Sequence, residues 1–300
     1  MKNFFTLILL SLSLISCNFN KTQNEKDMAD KKDSIEIKFW SGNRTQIRQD
    51  YERLVLKAVL EVTEKDFGLW KIKETAIDLP GDTESKVFSE KNFDLFVTIA
   101  GNQKFKNQEV HVIKEPLAKN LLGYRIPIVN EKVSKQFHSE AKASDLKVLV
   151  HGIPETWSDV EIFEENGYSV LEKGSLDNLF ERLSKDEFDY SAFGANEILS
   201  VFKHRASKFE NLEIAQGILF YYPFPMVFYV HPHQKKLAER LEIGMERIQK
   251  NGKLDSIFNS FYATLIEDLK LNQRKIFNLE NPFIPEAFKT LQPDLNSINN

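Results

Sequence analysis

Cysteine is almost missing from this chain: Cys17 is the only one in 300 residues. A lone thiol rules out an internal disulfide framework and a thiolate metal cluster. Glycine is sparse as well, with 12 in all, and the closest pair, Gly167 and Gly174, is seven apart. A dinucleotide fingerprint needs glycines two and three apart, a phosphate-binding loop five, and a nucleophile elbow four. None of these can be built here. The six histidines include no His-Glu-x-x-His; His231-Pro-His233 offers two imidazoles near a strand end but no third ligand at useful spacing. We therefore expect no metal, no cofactor and no catalytic residue set. Glu164-Glu165 and Asp186-Glu187 read as solvated charges on helix faces or turns. Long basic runs are lacking and the formal net charge is −4, which argues against a nucleic-acid partner. Apolar residues are plentiful: 42% of the chain, with 24 Phe, enough for sizeable cores.

The one long apolar run is at the N-terminus. Lys2 precedes Phe4–Leu10 and Leu12–Ile15, and the run ends at Leu14-Ile15-Ser16-Cys17. A charged start, an apolar stretch too short to span comfortably and small residues before a cut site make an export signal. Leu-Ile-Ser-Cys resembles a bacterial lipobox, which implies lipidation of Cys17 and a body held at the cell envelope, in the periplasm or at the cell surface. The plainer alternative is an uncleaved anchor helix. Residues 1–16 are thus expected to be a signal peptide and 17–33, polar and charged, a disordered tether. About 265 residues remain, room for one large or two medium domains.

From Ser34 the pattern alternates between strands and helices. Ile35–Phe39 has period two, and Arg44–Glu64 carries Ile47, Tyr51, Leu54, Val55, Ala58, Val59 and Val62 at helical spacing. Asp94–Gly101 is a nearly continuous apolar run, typical of a strand buried on both faces. Leu146–Val150 reads as a strand and Ser158–Asn166 as a helix, with Ser158 and Glu161 spaced as a capping box. A helix from Ser175, strands at Phe188–Phe193 and Met226–Val230, and helices over Gln234–Lys250 and Leu254–Leu269 complete an α/β pattern.

The order of these elements is similar to the type II periplasmic solute-binding fold, and more closely to the extracellular solute-binding family 3 group. The resemblance covers Ser34 to Tyr262. It rests on Asn92–Val97, Pro116–Arg125, Trp157-Ser158-Asp159, Asn166-Gly167-Tyr168, Phe188-Asp189-Tyr190, Asn196-Glu197-Ile198, Tyr222–Pro225 and Asn251–Leu254. It implies an α/β, two-lobed type II periplasmic binding protein-like fold, with a central mixed sheet in each lobe and two hinge crossings. Residues 34–119 plus 227–300 would form the first lobe and 120–226 the second, with Tyr124–Val129 and Met226–Val230 as crossing strands.

Ligands of open α/β sheets collect beyond the carboxyl ends of strands. That rule selects Trp40, Ser41, Asn43, Arg44, Asn102 and Lys106 in the first lobe. In the second it selects Trp157, Ser158, Phe193, Gly194, Asn196 and Glu197, with free N–H groups at the helix start near Ser158 available to an anion. Each also has a duller reading: Trp40 and Trp157 as core caps, Arg44 and Lys106 as solvated charges, Ser158 as a helix cap, Glu197 paired within its own lobe. Two departures from the family pattern argue against an α-amino acid ligand. Lys106 stands where a carboxylate-holding Arg is usual, and lacks its bidentate fork. No acid stands in Phe193–Asn196 before Glu197.

The resemblance implies a monomeric, membrane-tethered, extracytoplasmic solute-binding protein. It would capture a small polar molecule between closing lobes and hand it to an ABC-type permease. The alternative is a ligand-sensing lipoprotein that reports to a partner. An envelope enzyme using Glu197 or Glu172 ranks third.

Overall fold

The computed structural model describes residues 34–292. The expected signal peptide, Cys17 and tether lie outside the described residues. Two mixed sheets form the frame. The first has strand order β2-β1-β3-β11-β4, and the second β12-β10-β5-β8-β6-β7 with β9 also on β5. In the first sheet β1 (Ile35–Trp40), β2 (Trp70–Thr75) and β3 (Leu95–Ile99) run parallel. β11 (Met226–Val230) returns antiparallel between β3 and β4 (His111–Val112). In the second, β6 (Val150–Ile153), β7 (Ser169–Glu172) and β8 (Tyr190–Gly194) are parallel. Antiparallel β5 (Tyr124–Asn130) joins them to β9 (Leu212–Ile214) and β10 (Ile218–Tyr221), and β12 (Lys275–Asn278) edges β10.

Helix α1 (Gln46–Val62) follows β1 and buries Tyr51, Val55, Ala58 and Val59 of the stripe the spacing marks out; Ile47 and Val62 are partly buried, and Leu54, counted in that stripe, is exposed. Its C-terminal end is clamped from α4 (Lys235–Lys250): buried Arg240 donates to Leu60 O at 2.9 Å, Thr63 Oγ1 at 2.9 Å and Gly68 O at 3.1 Å. A cation on the last carbonyls of a helix suits its dipole. The two helices meet where Gly244 faces Val59; a Cβ there would lie 2.4 Å from Val59 Cγ1. α5 (Lys253–Leu269) completes this layer, while α2 (Asp159–Glu165) and α3 (Leu176–Ser184) belong to the second sheet. Among the described residues no helix is long and apolar enough to cross a membrane.

Local readings differ from the structure at two places. Residues Ala143–Lys147 are a helical turn, and the strand begins only at Val150, whose N–H donates to Asp189 Oδ2 at 2.7 Å. A short apolar run fits either element, and the parallel partner β7 decides the register. Ser158 begins α2 without a side-chain cap, because its backbone is already helical (φ −64°, ψ −15°).

β5 and β11 each lie wholly within one sheet, so the passages between sheets are the irregular segments before them. Asn120, in the left-handed region at φ 56°, ties the two passages together. Its Nδ2 donates to the Tyr221 hydroxyl at 2.9 Å, and its Oδ1 accepts from Phe224 N at 2.7 Å. The chain then crosses again after α5, since β12 pairs with β10 rather than with the first sheet, to which 227–300 was assigned. Buried Arg274 staples that passage, donating to Leu269 O at 2.8 Å and Ile218 O at 3.2 Å.

Candidate functional site

Between the two sheets lies a buried cluster of three guanidiniums and three carboxylates. The first turns of α1 put Arg48 and Glu52 four residues apart on one helix face, and Arg44, in the bend just before the helix, reaches the same side. Glu52 is fully buried and Arg48 nearly so, and they pair at 3.0 Å. Arg44 sits 3.9 Å from Glu52, donates to Val97 O and Gly42 O, and lies over the Trp40 ring. The second sheet supplies the rest. Arg125 on β5 pairs with Asp159 at the start of α2 and lies 4.0 Å from Glu197, which follows β8. Tyr222 in the return passage donates its hydroxyl to Asp159. The two halves meet at Arg48 Nη1 and Glu197 Oε2, 3.4 Å apart.

Burial and charge work against each other here. Desolvation opposes the Arg48 and Arg125 charges, but Glu52 and Glu197 for the first, and Asp159, Tyr222 and Glu197 for the second, outweigh it and hold both above the usual arginine range. For Arg44 and Glu52 desolvation wins: the guanidinium is lowered and the carboxyl raised despite their mutual attraction. Burial also pushes the Tyr222 and Tyr262 phenols up. Several buried polar atoms of this cluster lack a hydrogen bond: Arg44 Nε and Glu52 Oε2, which face each other at 3.9 Å, and Arg125 Nε. Buried polar groups are normally satisfied, and these exceptions are concentrated in one place.

Of the residues selected from sequence, Arg44, Asn196 and Glu197 come together in this cluster. Trp40 stands behind Arg44, its indole N–H on Ile77 O at 2.9 Å. Ser41 is engaged locally with Glu74 at 2.7 Å, and Asn43 exchanges two hydrogen bonds with the Leu79 backbone at 2.9 and 2.8 Å. Asn102 is buried and donates to Thr98 Oγ1 at 2.9 Å, whereas Lys106 is exposed. Trp157 meets Phe193 edge-on at 6.0 Å, behind the cluster. Gly194 permits a tight approach: a Cβ would lie 2.6 Å from Leu122 Cδ1. The helix start near Ser158, expected to take an anion, carries two acids in its own first turn, Asp159 and Glu161, and the Asp159 carboxylate is turned to Arg125 and Tyr222. Glu197 pairs across the gap as well as within its own half. Arg48, Glu52, Arg125, Asp159 and Tyr222 were not selected, although charges on the apolar stripe of α1 and inside the apolar run of β5 are a readable signal.

No protein-family profile matches the sequence, and no curated protein matches it. Solved structures do share its shape. A histidine kinase sensor domain described as similar to periplasmic binding proteins superposes with a TM-score of 0.54 at 12% identity, over 77% of this chain and 96% of its own. The GluR0 ligand-binding core in complex with L-glutamate gives 0.54 at 13%, over 76% and 97%. An ancestral arginine-binding protein bound to arginine gives 0.52 at 16%, over 76% and 98%. At these identities the likeness establishes the fold: two-lobed, α/β and periplasmic binding protein-like.

Proposed function

We propose that this chain is an extracytoplasmic solute receptor, lipid-anchored through Cys17, that takes a small polar molecule between its lobes for an ABC-type permease. The observation that carries the reading is the buried inter-lobe cluster, with ion-paired or free donors and acceptors on both sides that lack a hydrogen bond. Arg44 Nε and Arg125 Nε are donors, while Glu52 Oε2 is an acceptor, so a solute bearing both kinds of group is matched. Such a solute contacts the two lobes at once and stabilises their approach. Binding rather than turnover is the role this arrangement suits, since each carboxylate of the cluster is engaged with a guanidinium.

The test is thermal stabilisation against amino acids, dipeptides, small carboxylates and sugars. A true solute at a hundredfold its Kd adds about 2.7 kcal/mol, and Arg44→Gln is expected to remove that gain. Uniformly flat melting across the panel overturns the reading. Likeness to the kinase sensor domain favours one second reading, in which occupancy is reported to a partner protein. Capture of a sensor kinase instead of a permease from detergent-solubilised envelopes would select it.

A further inference from the structure

Beyond β12 the chain leaves the second sheet and runs over to the first. Its departure is anchored three times. Leu279 N donates to Tyr221 O at 2.8 Å, and Asn166 and Glu280 exchange two bonds, Nδ2 to O at 2.8 Å and N to Oδ1 at 2.9 Å. Buried Asn281 then donates to Pro223 O at 2.8 Å. Its arrival is anchored too. The Phe283 carbonyl lies against Gly101, at φ +80° in the loop after β3, where a Cβ would be 2.1 Å from that oxygen. Phe288, only 3% exposed, fills an aromatic socket of the first lobe with Trp40, Phe96, Phe105 and Tyr229, and Ile284 and Leu291 pack beside it.

From Glu280 to Phe283 is three residues, which reach at most about 10 Å when fully extended. While both ends stay docked, the end of α2 in one lobe and the loop after β3 in the other can separate only as far as the turn at Asn281–Ile284 can straighten. We propose that residues 279–291 are a strap that limits the opening of the two lobes, and that withdrawal of Phe288 from its socket is the opening step. The strap lies on the loop bearing Asn102, at the carboxyl end of β3, so opening there uncovers that side of the gap. This goes beyond the solute reading and is independent of which solute, if any, is bound.

The test measures inter-lobe distance without added solute. Spin labels go on Lys57→Cys and Lys185→Cys, both exposed, in the full chain with Cys17→Ser. Pulsed electron double resonance reads the distance distribution. Inserting Gly-Ser-Gly-Ser between Pro282 and Phe283 leaves every anchor in place and adds about 13 Å of reach. The strap predicts a narrow parent distribution, a broader and longer one for the insertion, and a shift in the same direction for Phe288→Ala. Asn166→Ala, which removes one of the three anchors on the second-lobe side, guards against misfolding of the insertion and should shift in the same direction by less. A parent distribution already as broad as the insertion's, or folded insertion and Asn166→Ala variants that overlay the parent, overturns the strap. Neither result touches the solute-binding assay, so the two proposals fail separately.

Discussion

Replacing Glu197 by Gln removes the only carboxylate among the described residues that pairs with guanidiniums of both lobes, while keeping its shape. At 3.4 Å, the Arg48 contact is worth about 5 kcal/mol of Coulomb energy with an effective dielectric of about 20. Most of this is offset by the several kcal/mol needed to bury a carboxylate. Breaking a buried pair costs about 3–5 kcal/mol when the remaining charge is left alone. Here neither partner is: Arg48 keeps Glu52 at 3.0 Å, and Arg125 keeps Asp159. The expected loss is therefore smaller, about 2 kcal/mol, or a fall in Tm of about 4–6 °C for a chain of this size. Calorimetry of Glu197→Gln beside Glu246→Gln, whose exposed pair with Lys250 should matter little, makes the comparison internal. Equal melting of the two variants would refute the claim that this pair couples the lobes. An unchanged double-mutant cycle with Arg48→Met would do the same.

Three further outcomes follow from single residues. His151 is buried against Tyr190 and accepts from Ala192 N at 3.0 Å; burial first, and Arg125 second, hold its pKa well below the ordinary 6.5. The unfolded chain then binds the extra proton, so stability should fall as pH drops below about 6.5, and Tm measured from pH 7 to 5 should fall less in His151→Phe. Asn120→Ala strands the Phe224 N–H and the Tyr221 hydroxyl between the two passages, costing about 2–3 kcal/mol in urea unfolding; no change would show that Asn120 does not tie them. Gly152→Ala places a methyl 2.3 Å from the Phe188 ring, and should cost about 1–3 kcal/mol unless Phe188 moves freely.

Much of the frame was legible because its signals are local. The stripe of α1, the apolar run of β3 and the helices α4 and α5 lie where their periodicity places them, as does β11. Short strands such as β7, β9 and β12 carry too few residues for a periodic signal, and only pairing with distant partners defines them. The return of β12 to the second sheet is likewise non-local, set by Arg274 and by register on β10 rather than by anything in residues 275–278. The site was half legible. Strand ends pointed to Arg44, Asn196 and Glu197, but Arg48, Glu52 and Arg125 sit within a helix stripe and a strand, where the strand-end rule does not look. Ser41, Asn43 and Asn102 do stand at strand ends, yet their hydrogen bonds are spent within the first lobe, on Glu74 of β2, the Leu79 backbone and Thr98 of β3.

A crystal structure of the protein purified from its own envelope, with no solute added, addresses the central claim most directly. Density is expected for a small polar molecule bridging Arg44 or Arg48 on one side to Arg125, Asn196 or Glu197 on the other. A co-purified or soaked solute seated anywhere else, with this cluster closed on itself in every crystal, would contradict it.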